Sequence, residues 1–243
     1  MTRNAAAAAP AGCRVLEWDS AFFGITIANV EAAALAADGA AVDAWCTANV
    51  DCAYLLAEAA DQQAIDTAQV YGFRLVDIRV TLEKSPAAPA PSAGSAVIRG
   101  YQPADLDRLK GIARSSHRDT RFYVDGRFDH ARCDEMYDVW ITKSCNGWAD
   151  HVLVAEVDGG AAGYVTCHRR DDHGEIGLVG VAPEHRGAGI GTALTGAALD
   201  WSHANGMSRM SVVTQGRNAA GMRLYQHAGF IVRTLQLWFH KWR

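Results

Sequence analysis

Ile176-Gly-Leu-Val-Gly-Val-Ala-Pro-Glu-His-Arg-Gly-Ala-Gly-Ile-Gly191 decides how the rest of the chain is read. An apolar strand runs into Pro183 and a short polar turn follows. Arg186-Gly187-Ala188-Gly189-Ile190-Gly191 then opens a helix that continues through Thr192 to Trp201. Strand, glycine-rich turn and helix in that order make an anion site. Glycines let the backbone approach a ligand, and the unpaired N–H groups of the first helical turn point at it from the positive end of the helix dipole. A ligand carrying phosphates is one reading. A glycine-rich strand-to-helix turn with no ligand is the other, and the surrounding sequence has to decide between them.

The spacing narrows the ligand. No Gly-x-x-x-x-Gly-Lys-Ser/Thr occurs, so the nucleoside-triphosphatase loop is absent. Gly187, Gly189 and Gly191 run Gly-x-Gly-x-Gly rather than the Gly-x-Gly-x-x-Gly of a dinucleotide fold. What remains is Arg-x-x-Gly-x-Gly. The 243 residues suffice for one large or two small domains, with 49% hydrophobic and 21% charged side chains, as in ordinary globular chains. A formal charge of −4 argues against nucleic acid as the main partner. Six cysteines form no Cys-x-x-Cys pair, which reads as reduced thiols in a cytoplasmic protein rather than a disulfide framework or zinc site. The alanine run before Pro10 is too short and too weakly apolar for a signal peptide, and no long apolar segment follows. A soluble, cytoplasmic protein with no membrane or nucleic-acid partner is expected.

Two units are expected on either side of a linker. In residues 14–84, Phe22–Val30 reads as a strand, 31–49 as an alanine-rich helix, Cys52–Ala57 as a strand and Ala59–Tyr71 as a helix ended by Gly72. Phe73–Leu82 alternates as a half-buried strand. Residues 85–96 carry three prolines and no charge, a linker by composition. In 97–243 the order is strand 97–99, helix 105–116, an aperiodic stretch 117–129 and helix 131–143. A hairpin over 152–167, the quoted strand and helix, and strand 210–213 come next. Asn218 caps a helix running to His227, Ala228-Gly229-Phe230 stops it, and strand 231–242 closes the chain.

In that context Arg-x-x-Gly-x-Gly resembles the acetyl-CoA pyrophosphate loop of the GNAT acetyltransferase superfamily. Asn218…Leu224-Tyr225-Gln-His-Ala-Gly229-Phe230 is a second matching element at the family's spacing. The resemblance over 97–243 implies an α/β (α+β) GNAT fold, a central mixed β-sheet flanked by helices. Ala68-Gln-Val-Tyr-Gly72-Phe73 echoes the later Gly-Phe helix end. Residues 14–84 are thus read as a smaller, degenerate GNAT-like N-terminal domain without a glycine loop of its own. Three further stretches, Leu16–Gly24, Arg121–Phe128 and Met136–Trp140, resemble the dTDP-fucosamine acetyltransferases. That likeness implies transfer of acetyl from acetyl-CoA to the amine of a dTDP-4-amino-4,6-dideoxyhexose on the way to surface polysaccharide, and a homodimer.

The resemblance also implies roles. Leu178, Val179, Gly180 and Val181 would offer backbone groups to the pantetheine arm and an N–H to the thioester oxygen. Arg186, Gly187, Ala188, Gly189, Ile190, Gly191 and Thr192 would cradle the pyrophosphate, and Asn218 would reach the pantetheine or a phosphate. Tyr225 would protonate the departing thiolate, a half-buried packing aromatic being the alternative. Glu175 is either a base acting through water or a plain hairpin carboxylate. Arg121, Phe122, Tyr123, Asp125 and Phe128 combine a cation for a diphosphate with rings that stack on thymine or sugar, or else form a loop with a hydrophobic anchor. His168 and His173 are read as a solvated hairpin tip with no metal. An aminoglycoside, amino acid or peptide acceptor, and a non-catalytic CoA-binding module, remain the rival readings.

Overall fold

The computed structural model describes residues 8–85 and 96–243. The stretch read as a linker lies, apart from Ser85 and Ala96, outside the described residues. The chain forms two compact units. One runs to Arg79 and takes back Thr234–Arg243, and the other is Val80–Arg233. The divisions therefore fall inside two long strands rather than in the proline-rich stretch. The reason is packing: Phe73 and Phe239 enter one core, whereas Val80, Leu82 and Phe230 enter the other.

The first unit holds β1 (Cys13–Val15), α1 (Glu17–Phe23), β2 (Ile27–Glu31), α2 (Ala32–Ala37), α3 (Gly39–Asn49), β3 (Cys52–Glu58), α4 (Gln62–Val70) and the start of β4 (Arg74–Lys84). Two expectations are corrected here. Phe22 and Phe23 end a helix instead of opening a strand, because Gly24 adopts φ +70 and its N–H closes the turn on the Ser20 carbonyl. The single helix over 31–49 is two, since the Asp38 carboxylate accepts the Ala41 N–H at 3.0 Å and starts α3 afresh. The core gathers Leu35, Val42, Trp45, Leu55, Phe73 and Phe239.

The second unit continues with β5 (Val97–Gly100), α5 (Leu106–Ser116), α6 (Arg121–Val124), α7 (His130–Lys143), β6 (His151–Val157), β7 (Gly160–Arg170), β8 (His173–Val181), α8 (Ile190–Ala204), β9 (Arg209–Gln215), α9 (Ala219–His227) and the start of β10 (Ile231–Trp242). Its strands run β9-β8-β7-β6-β5 across the sheet. The β8/β9 pair is parallel and the others antiparallel, a mixed sheet. Helix α8 buries Ile190, Leu194, Ala198 and Leu199 against Leu153, Val165, Ile176 and Val212. Each large side chain so buried contributes about 1.5–3 kcal/mol. This is the α/β architecture with helices on a mixed sheet that the sequence implied. Among the described residues, no helix is long and apolar enough to cross a membrane.

Candidate active site

The site begins where two strands part. The β8/β9 ladder runs only from His173 opposite Arg209 to Ile176 opposite Val212, yet β8 continues to Val181 and β9 to Gln215. On its other edge β8 carries an irregularity, with Val165 opposite Val179 but Cys167 opposite Ile176. The extra residue bends β8 away from β9. Thr166 Oγ1 accepts the Leu178 N–H at 2.8 Å, so the bulge leaves that donor satisfied.

Beyond the bulge, alternation decides which way the backbone faces. Ala182 N–H donates to the Ala162 carbonyl at 2.9 Å, so Ala182 and, two residues back, Gly180 turn their polar groups to β7. Val179 and Val181 turn theirs to the open side. Gly180 is a glycine for a packing reason: a Cβ there would lie 2.7 Å from the Tyr164 ring.

The glycine loop closes one end of the opening. Gly187 and Gly189 adopt φ +80 and +79, a region that costs other residues about 1–2 kcal/mol. Gly189 precedes the first turn of α8, whose N–H groups face outward. Gly191 sits where a Cβ would lie 3.3 Å from Leu224, letting α8 and α9 approach. Arg186 does not extend freely. Its guanidinium donates to the Val181 carbonyl (3.2 Å) and the Ser115 carbonyl (2.9 Å), tying the loop to β8 and α5. Asn218 caps α9, accepting from Gly221 N–H at 2.9 Å and donating to Thr214 Oγ1 at 3.0 Å.

Two cavities open here, both within the second unit. The larger, about 720 Å³, is lined by Val179, Val181, Arg186, Gly187, Gly189–Thr192, Asn218 and Tyr225 among others. The smaller, about 200 Å³, lies against Ser116, His117, Tyr137, Trp140, Leu178 and Gln215 among others. Ser116, Val179, Asn218 and Tyr225 line both. Tyr225 is 6% exposed, packs edge-on against Phe230 at 5.8 Å, and burial raises its phenol well above the ordinary value. Its hydroxyl makes no hydrogen bond among the described residues.

The structure thus brings together most of the residues expected to hold acetyl-CoA, and Gly180 and Ala188 alone line neither cavity. The larger cavity fits a phosphorylated, extended ligand. It joins left-handed glycines and a helix N-terminus at one end to outward-facing strand backbone at the other.

The residues expected around the acceptor are placed differently. Arg121, Phe122, Tyr123, Asp125 and Phe128 line neither cavity. Phe122, Tyr123 and Phe128 are buried, Arg121 stacks on Phe122 at 4.2 Å, and Tyr123 donates to Asp134 at 2.7 Å. They stand one layer back, Phe122 against Trp140 and Tyr123 parallel to Tyr137. Glu175 also lies outside both cavities, beside Arg170 at 3.4 Å. His168 is not at a solvated hairpin tip but 1% exposed beneath Trp148, while His173 sits near Asp172 at 3.7 Å.

Ser115, Ser116, His117, Thr120, Tyr137, Trp140, Thr214 and Gln215 were not singled out as site residues. Tyr137 and Trp140 sit at helical spacing on α7, which reads as core. Ser116 and His117 end α5, where nothing in sequence marks a cavity wall.

Residues 113–230 match the Acetyltransferase (GNAT) family. The chain is similar to a dTDP-fucosamine acetyltransferase from Escherichia coli O6:H1, 28% identical over 93% of this chain and 96% of the relative. It is also similar to the spore coat polysaccharide biosynthesis protein SpsD of Bacillus subtilis, 26% identical over 58% of this chain and 49% of that protein. Its fold is like that of a GCN5-related N-acetyltransferase from Sphaerobacter thermophilus, with TM-score 0.66, 16% identity, and cover of 95% of this chain and 76% of the other.

Proposed function

We propose that this chain, whose residues 113–230 form a domain of the GNAT acetyltransferase family, transfers acetyl from acetyl-CoA to the amine of a nucleotide-activated amino sugar. The observation that carries the reading is the common wall: one larger, glycine-floored cavity and one small cavity meet at Tyr225. A donor and an acceptor can therefore react across a single phenol. The whole-length similarity to a dTDP-fucosamine acetyltransferase supports a sugar-nucleotide acceptor of the dTDP-4-amino-4,6-dideoxyhexose type, in polysaccharide assembly.

Acetyl-CoA supplies the activated acetyl thioester. Gly187–Thr192 and the α8 N-terminus would hold its phosphates, and Val179 and Val181 its amide arm, by the backbone groups they turn outward. The Val179 N–H is the donor best aimed to stabilise charge developing on a carbonyl oxygen in the opening. Tyr225, kept protonated by burial, holds a proton at Oη for the leaving thiolate.

The small cavity would take the sugar ring, with Tyr137 and Trp140 as walls that Phe122 and Tyr123 back from behind. Arg121 and Asp125 lie outside both cavities, in the segment that backs these walls. Proton loss from the amine to solvent suffices, and Glu175 serves the hairpin.

Thiol release from acetyl-CoA tests this against dTDP-4-amino-4,6-dideoxygalactose, its gluco epimer, the 3-amino isomer, kanamycin and short peptides. Turnover confined to a nucleotide sugar is expected. Turnover of kanamycin or a peptide instead overturns the acceptor and leaves the acetyltransferase standing.

A further inference from the structure

The small cavity is lined by hydroxyls, amides, aromatic rings and one imidazole, with no carboxylate, lysine or arginine among its lining residues. The imidazole is His117, immediately after α5. Its ring stacks on Tyr137 with centroids 4.6 Å apart and planes 14° from parallel, which fixes its plane. Its Nε2 lies 3.2 Å from the hydroxyl of Tyr164.

Tyr164 is wholly buried on β7, and among the described residues His117 is the hydrogen-bond partner of its hydroxyl. That single contact selects the tautomer. If Nε2 carried the hydrogen and donated to Tyr164, the phenolic proton would be buried with no acceptor. If Tyr164 donates to Nε2, both atoms are satisfied and the imidazole hydrogen sits on Nδ1. Nδ1 makes no hydrogen bond among the described residues. Beside it in sequence, Ser116 lines the same cavity, and its Oγ is buried without a partner. Burial also lowers the His117 pKa to about 4, so the ring is neutral over the working range.

We propose that His117, locked by Tyr164, presents a fixed Nδ1–H donor which with Ser116 selects an uncharged hydroxyl or ether oxygen of the acceptor. His117 is then a specificity-determining residue and Tyr164 a positioning residue. Neither role was visible in the sequence. The proposal rests on reading the small cavity as the acceptor's.

The test has two readouts on the full chain. Nitrogen-15 NMR of histidine-labelled, ligand-free protein reads the tautomer directly, with the signal assigned by its loss in His117→Asn. Nδ1 protonation is expected in the wild type, with a shift toward Nε2 protonation in Tyr164→Phe. An Nε2-protonated wild type overturns the proposal. No acceptor is needed for this readout, so it stands or falls separately from the acetyl-transfer reading.

Kinetics with whichever amine is turned over supply the second readout. His117→Phe should raise KM for that acceptor about tenfold or more, as loss of one neutral hydrogen bond predicts, while KM for acetyl-CoA stays within about twofold. An equal rise in both constants would mark a merely structural role and overturn the assignment. If the phenylalanine variant does not fold, Tyr164→Phe carries the same comparison, with the same two outcomes.

Discussion

A phenol can serve as an acid only if it still holds its proton when the thiolate leaves. Burial gives Tyr225 that property, since desolvation penalises phenolate and raises the pKa well above 10. Tyr225→Phe is therefore expected to lower kcat about 10²–10³-fold with little change in KM for acetyl-CoA. The wild-type rate should show no alkaline loss below about pH 9, because the neutral form is the active one. A fall in kcat between pH 8 and 9, absent in the phenylalanine variant, would assign the ionisation to Tyr225 and contradict this.

His117 affects stability in the opposite sense. Its folded pKa is depressed to about 4 against an ordinary 6.5. Between those values the unfolded chain binds a proton that the folded one does not. Stability is whole above pH 7 and is lost as pH falls toward 4, by up to about 3 kcal/mol. Thermal unfolding from pH 7.5 to 4.5 checks this: His117→Asn should flatten the curve, and an unchanged slope would show that the acid sensitivity lies elsewhere.

At the level of elements, the opening between β8 and β9 depends on one side chain. Thr166 is fully buried and its hydroxyl holds the bulge N–H of Leu178. Thr166→Val keeps the shape but strands that donor, at a cost of about 1–3 kcal/mol. A lower Tm together with a higher KM for acetyl-CoA is expected, since the displaced backbone includes Val179. A lower Tm with unaltered KM would detach the bulge from ligand binding.

Elements with local punctuation were legible in advance. Asn218 caps α9 as its position suggested. The two Gly-Phe ends close alike, Phe73 N–H on the Ala68 carbonyl and Phe230 N–H on the Tyr225 carbonyl, each at 2.9 Å. Gly187 and Gly189 mark the loop because their positive φ favours glycine, and at Gly191 an added Cβ would press on Leu224 at 3.3 Å. Helix α1 was not legible. Phe22-Phe23-Gly24-Ile25 has the composition of a strand, and the helix arises from the Gly24 turn and the Ser20 hydroxyl bonding the Ile27 backbone. The small cavity's walls were hidden for a related reason. Tyr137 and Trp140 face inward with the periodicity of core residues, and a cavity wall is a core face whose opposite neighbour is missing.

Across the whole molecule, the six cysteines show how far burial reaches. None of the six is in a disulfide, and five are buried in the cores of one unit or the other. Burial pushes the thiols of Cys46, Cys133 and Cys145 up to about 11 and that of Cys167 to about 12. At pH 8 a thiol of pKa 11 is about one part in a thousand thiolate, against roughly a quarter for an ordinary cysteine. The thiolate is the reactive form, so these four thiols in the folded protein should react with a disulfide dye at least about a hundredfold more slowly than free cysteine. Denaturation should release all six. Absorbance after mixing native protein with dye, without acetyl-CoA, measures this. A flat trace is expected, so that thiol appearing during turnover comes from CoA. A rapid burst of one equivalent would single out Cys145, the partly exposed member, and show that its surroundings admit solvent more freely than its burial implies.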